Sequence, residues 1–273
     1  MTSLGDPDVQ VPEPYIREVG AGPGVVCLHA NASSSSQWRS LMDSLAPRFH
    51  VVAADSYGAG KSPPWPTGRT VCLRDEVALL EPAFARASDP FALVGHSYGA
   101  AVALIAAVNQ PRRVCALVLY EPTLFGLIDA EAAPPNDADG IRNAVASAAA
   151  ALDAHNPDAA AKYFIDFWMG EGAWEQTPEQ RKSPMTASVA HIRGWAHALF
   201  NELTPLTAFS ELNMPVLYMM GKNSPESSLG VGRLLTRVLP QVEVVEFEGL
   251  GHMGPVTHPE VVNAAICRFL RRR

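Results

Sequence analysis

Cysteine is scarce in this chain and charge is thin. The four cysteines, Cys27, Cys72, Cys115 and Cys267, are scattered, which leaves neither a disulfide framework nor a metal-ligand spacing. They read as free, buried thiols of a reducing cytosol. Charged residues make up only 18%, the net charge is −7, and Arg271-Arg272-Arg273 is the sole basic block. That balance argues against a nucleic-acid partner. The triplet reads as a cap on the negative end of the last helix. No apolar run is long enough to span a bilayer, so no membrane partner is expected. Residues 1–14 lack the basic-then-apolar order of a signal peptide, which points to a cytoplasmic protein. Neither a G-x-G-x-x-G nor a P-loop is present, and no metal or other cofactor is expected.

What is present is apolar and periodic. At 273 residues and 48% apolar, the chain suits one large domain or a domain carrying an insertion. Residues 25–28, 50–54, 91–94, 114–120, 216–220 and 242–247 are short apolar runs that read as strands. Helical stretches separate them, one expected near 37–45 with Ser34 and Gln37 at capping-box spacing. Such alternation implies an α/β protein: a mostly parallel central sheet with helices on both faces. The rhythm stops between Pro122 and Asn213, where alanine and then aromatic residues dominate and no strand is evident. Residues 123–209 therefore read as an inserted set of helices, with 1–122 and 210–273 as the core.

One motif carries chemistry. Gly95-His96-Ser97-Tyr98-Gly99 fits G-x-S-x-G, between an apolar strand and an alanine-rich helix. In that setting a tight turn pushes a serine hydroxyl out of the sheet, where a base can reach it. A serine hydroxyl is a poor nucleophile until a base takes its proton. His252 follows the last strand in Gly251-His252-Met253-Gly254, at the same sheet edge as Ser97; His258 better suits the start of the last helix. An oxyanion hole needs two backbone N–H groups. Tyr98, after the serine, and Asn31, in the loop after the first strand, are placed to supply them. His29 reads as a brace for that loop. Asp55 reads as a structural carboxylate in a Gly-rich turn, and nothing near Ser33 to Ser36 activates those hydroxyls.

Together these segments resemble the alpha/beta-hydrolase fold family, in its serine-nucleophile branch. The resemblance runs from about Tyr15 to Phe269. It rests on His29-Ala30-Asn31, on Asp55-Ser56-Tyr57-Gly58-Ala59-Gly60-Lys61-Ser62, on the elbow and on Gly251-His252. It implies Ser97 as nucleophile, His252 as base and the helical insertion as a cap (lid). Most relatives carry the triad acid in a G-x-x-D loop, but here Gly221-Lys222-Asn223-Ser224 puts serine at that position. Some relatives place the acid one strand earlier, which is Glu121. Glu226 is the alternative acid, and a site with no acid on the histidine is the third reading.

The resemblance implies a serine hydrolase of a small, largely apolar ester, lactone or related carbonyl compound. The aromatic residues Phe164, Phe167, Trp168, Trp174 and Trp195 are the candidates to line its pocket. The same pattern is shared by carbon–carbon bond hydrolases, acyltransferases, hydroxynitrile lyases and cofactor-free haloperoxidases. A small-molecule-binding protein with little turnover is the reading from another class. Scattered charges assign no oligomeric state.

Overall fold

The computed structural model describes residues 12–272; expectations placed on residues 1–11 and on Arg273 lie outside them. In chain order the first half runs β1 (Ile16–Val19), β2 (Gly24–Leu28), α1 (Arg39–Leu45), β3 (His50–Ala54), α2 (Leu73–Ala87), β4 (Phe91–His96), α3 (Tyr98–Asn109) and β5 (Val114–Tyr120). Six helices follow without a strand: α4 (Gly126–Glu131), α5 (Asp139–Asp153), α6 (Pro157–Met169), α7 (Ala173–Gln176), α8 (Glu179–Val189) and α9 (Ile192–Phe200). The chain then returns to the sheet with β6 (Val216–Gly221), α10 (Glu226–Val238), β7 (Val242–Phe247), α11 (Gly254–Thr257) and α12 (Pro259–Leu270).

The seven strands form one sheet in the order β1-β3-β2-β4-β5-β6-β7. Every pairing is parallel except that of β1 with β3. Strand β1 has no counterpart in the sequence reading, because its charged, half-buried run shows no apolar signal. The inner strands are buried on both faces, and their side chains alternate between two cores as the pleat requires. Val25, Cys27, Val51, Ala53, Val118 and Leu217 pack with Leu41, Leu45, Val262 and Ile266 of α1 and α12. Val26, Leu28, Val52, Leu117 and Leu119 face the opposite way, against Phe84, Leu104 and Leu235 of α2, α3 and α10. Burying both faces offsets the chain entropy that ordering this sheet costs.

Three local expectations are corrected. The stretch 35–38 is a 3-10 turn and the α-helix begins only at Arg39. Ser34 accepts from Ser36 N–H, while Gln37 turns its amide inward to Ala30 and His96, so no capping box forms. Cys27 and Cys267 are buried, but Cys72 and Cys115 are exposed; all four thiols are free. Of the basic triplet, Arg271 stands at the C-cap of α12, and the Arg272 guanidinium pairs with Glu243 at 2.6 Å. Among the described residues, no helix is long and apolar enough to cross a membrane.

Candidate active site

Parallel strands deliver their carboxyl ends to one edge, where active sites of such sheets form. Ser97 leaves β4 there with φ 56° and ψ −118°, a sparsely populated conformation for a residue with a side chain. The turn closes because both flanking glycines are needed. A Cβ on Gly95 would meet Ala100 Cα at 2.5 Å, and one on Gly99 would meet the Leu28 carbonyl oxygen at 2.4 Å. Ser97 N–H donates to the Tyr120 carbonyl at 2.9 Å, which fixes the turn to the next strand.

His252 Nε2 lies 2.8 Å from Ser97 Oγ, and His252 Nδ1 lies 2.7 Å from Glu121 Oε2. An ionised carboxylate can only accept, so Nδ1 carries the proton and Nε2 is left to accept from the serine hydroxyl. Glu121 leaves β5 at the residue after Tyr120, with φ 45°. It is fully buried, yet it is well supplied with donors. Its Oε1 accepts from Gly221 N–H at 2.7 Å and from Ser224 Oγ at 2.6 Å. Ser228 Oγ stands 3.2 Å from His252 Nδ1, a longer second contact. A carboxylate so furnished tolerates burial that would otherwise cost several kcal/mol. Glu226 goes elsewhere: it is exposed in the first turn of α10 and pairs with Arg233 at 3.1 Å.

Around this line the structure adds a strap that the sequence did not reveal. Ala30 N–H donates to Gln37 Oε1 at 3.2 Å, and Gln37 Nε2 donates to His96 Nδ1 at 3.0 Å. His96 Nε2–H in turn donates to the His252 carbonyl at 2.8 Å. Burial, with His252 beside it, holds His96 well below the usual imidazole range, which keeps it neutral, while the Gln37 amide and the His252 carbonyl select this tautomer. Tyr120 OH donates to the Gly251 carbonyl at 2.8 Å from the other side. The only sequence signal for His96 was its place inside the elbow.

Ala30 N–H is committed to Gln37, and the next residue of the loop, Asn31, lines the space beside Ser97. Tyr98 N–H opens α3, where the first N–H groups of a helix lack internal partners. The Tyr98 side chain points away, its hydroxyl donating to buried Glu76 Oε1 at 3.1 Å. His29 and Asp55 are structural, as read. His29 bonds the Ala30 carbonyl and accepts from Ser56 N–H, and Asp55 accepts from Ser35 N–H and Lys61 N–H. His258 sits at the start of α12 against Thr257.

Above Ser97 lies a cavity of about 50 Å³. Of the five aromatics singled out, Phe164, Trp168 and Trp195 line it; Phe167 and Trp174 do not. Helical period explains the split: Phe164 and Trp168, with Ile165 and Met169, form i, i+4 pairs on one stripe of α6. Phe167 lies off that stripe and packs edge-on against Trp168 at 4.7 Å between centroids. Trp174 instead carries Lys182 Nζ 5.6 Å from its ring centroid. Trp168 does more than line the wall. Its indole stacks on the His252 imidazole at 4.0 Å, with 28° between the planes.

A doubly covered parallel sheet and a serine elbow facing a histidine define a class of protein. A family model described as alpha/beta hydrolase fold matches residues 23–259, and the chain belongs to that family. It is 28% identical over 259 residues to 2-(acetamidomethylene)succinate hydrolase of Mesorhizobium japonicum, covering 93% of this chain and 90% of that one. It is 25% identical over 267 residues to the putative carbamate hydrolase RutD of Agrobacterium fabrum, covering 94% and 97%. A thermophilic esterase from Thermogutta terrifontis shares the fold, with a TM-score of 0.73 at 22% identity over 95% of this chain and 93% of that chain.

Proposed function

We propose that this protein is a serine hydrolase of a small, largely apolar ester, lactone or related carbonyl compound. The observation that carries the reading is the unbroken line Ser97–His252–Glu121 at the floor of an apolar cavity. Ser97 Oγ attacks the carbonyl carbon while His252 Nε2 takes its proton. Glu121 holds the ring in its tautomer and stabilises the imidazolium. Asn31 and Tyr98 N–H groups receive the oxyanion. The intermediate collapses as His252 returns the proton to the leaving group, which departs and leaves an acyl-enzyme. Water, deprotonated by His252, attacks the acyl carbon and frees the acid and Ser97. Helices of 123–209 act as a cap, shielding the acyl-enzyme and pressing Trp168 against the histidine. The indole face favours the imidazolium that forms at each step.

The test is labelling with an active-site fluorophosphonate. Wild type takes the label and Ser97→Ala does not; equal labelling of both would sink the assignment of the nucleophile.

A second reading, cleavage of an amide or carbamate carbonyl, uses the same residues. It is supported by the activities for which the Mesorhizobium and Agrobacterium relatives are named. Release of an amine from a matched amide at a rate near that of the ester would favour it. The Mesorhizobium relative's succinate substrate is not carried over. Among the described residues, no lysine or arginine lines this cavity to pair with a carboxylate.

A further inference from the structure

Apart from the amide of Asn31, whose backbone the proposed chemistry uses, Thr123 is the uncharged polar side chain of the cavity with no part in that chemistry. Thr123 stands two residues beyond Glu121, in the turn between β5 and α4. It lines the same space as Ser97 and His252. It is 1% exposed, and its Oγ1 has no hydrogen-bond partner among the described residues. Ser97 and His252 bond to each other, and most of the remaining wall is apolar, including Phe125, Ile141, Leu199 and Met253. A buried hydroxyl without a partner opposes folding unless something binds to it. An enzyme recovers that cost when its substrate supplies the missing partner, and it then rejects the analogue that lacks one.

We propose that Thr123 Oγ1 is a recognition subsite for an uncharged oxygen on the substrate half that fills the cavity. The inference rests on the serine-hydrolase reading and narrows its substrate class. The substrate is a carbonyl compound bearing an ether, hydroxyl or oxo oxygen a short distance from the reacting carbon. A threonine hydroxyl donates to such an oxygen. A carboxylate at this place would lack a cation, since no lysine or arginine among the described residues lines the cavity. An all-alkyl group fills the space but leaves the hydroxyl stranded.

An oxygen scan tests this. Matched esters differ by one CH2→O exchange: 4-nitrophenyl methoxyacetate against butyrate and 3-methoxypropionate against pentanoate on the acyl side. On the alcohol side, 2-methoxyethyl acetate is set against butyl acetate. For each ester the readout is kcat/KM of wild type divided by that of Thr123→Val, a ratio from which intrinsic ester reactivity cancels. Threonine and valine have nearly the same shape, so the change removes only the hydroxyl. The alkyl esters should give ratios near or below one. At least one oxygen-bearing partner should give about tenfold or more, the worth of one well-made hydrogen bond. Thr123→Ser should retain that preference, and Thr123→Val should melt at or above wild type.

Equal ratios across both series would overturn the proposal. A uniform loss with every ester would do the same, because it would mark a structural role. Should Thr123→Val not fold, Thr123→Ala supplies the denominator and the same comparison decides. Failure of Ser97 to take the fluorophosphonate label is a separate result and sinks the serine-hydrolase reading itself. If Ser97 labels but no ester turns over, the ratio is read as protection against labelling by the same esters.

Discussion

Ser224 Oγ donates a 2.6 Å hydrogen bond to Glu121 Oε1. The residue at the sequence position where most family members carry their acid thus holds the carboxylate that faces the histidine here. Two strands, β5 and β6, have divided the job: one brings the charge, the other the donors Gly221 N–H and Ser224 Oγ. Glu121→Gln should lower kcat/KM on an ester by about 10³-fold or more, because a neutral amide no longer fixes the imidazole tautomer. Ser224→Ala should cost far less, about tenfold, since Gly221 N–H still serves the same oxygen. Glu226→Gln should stay within about twofold of wild type, as expected of an exposed ion pair. A large loss from Glu226→Gln with little from Glu121→Gln would reverse the assignment.

The stack of Trp168 on His252 makes a second claim. If the indole steadies the imidazolium, Trp168→Leu should lower kcat about three- to thirtyfold, the range of a partly buried cation–π contact. Trp168→Phe should recover most of it, because a ring face is restored. Steady-state kinetics on a short ester separate this from a wall residue. A rise in KM with unchanged kcat would mean that Trp168 only holds substrate.

The strap Ala30–Gln37–His96–His252 ties the loop after β2 to the loop that carries His252. Gln37→Leu strands one buried donor and one buried acceptor. It should cost about 2 kcal/mol of stability, read from urea midpoints, and lower kcat severalfold with little change in KM. Full stability with unchanged kcat would show that the strap positions nothing.

Glu76 gives a prediction about pH. Burial pushes its carboxyl up to about 8, against the opposing hydrogen bonds from Tyr57 N–H and Tyr98 OH. Its folded-state pKa therefore lies above the unfolded value. The stabilising contribution is full below about pH 4.5 and is lost as pH rises through about 8. Glu76→Gln cannot ionise, so its stability should gain on that of wild type across this window. Denaturation midpoints measured at intervals from acid to mildly alkaline pH check it, and parallel curves for the two proteins would contradict it.

Much of this protein was legible in the string, and the legible part is local. Five strands announced themselves as short apolar runs, because an inner parallel strand is buried on both faces; the half-exposed edge strand β7 was marked by its alternating valines and glutamates. Ser97 was marked by glycines that a strand–turn–helix needs within van der Waals reach. His252 was marked by its place after the last strand. Strand β1 was missed for the converse reason: on the sheet's antiparallel edge its charged residues need no burial. The local pattern also misread Gln37, which looked like a helix cap and became a bridge between loops.

Tertiary structure decided the choices between residues far apart in the chain. Glu121 and Glu226 are equally acidic in sequence, but only one leaves its strand at the sheet edge facing His252. The other starts a helix at the surface. The aromatic residues of the insertion look alike in sequence, and the rotation of α6 selects Phe164 and Trp168 for the cavity and turns Phe167 off it. Thr123 carried no signal at all, because an unpartnered hydroxyl exists only once its neighbours are packed. Residue type and local spacing set which groups could do chemistry. Packing of the sheet, α6 and the loops around Gln37 and Ser224 set which of them meet.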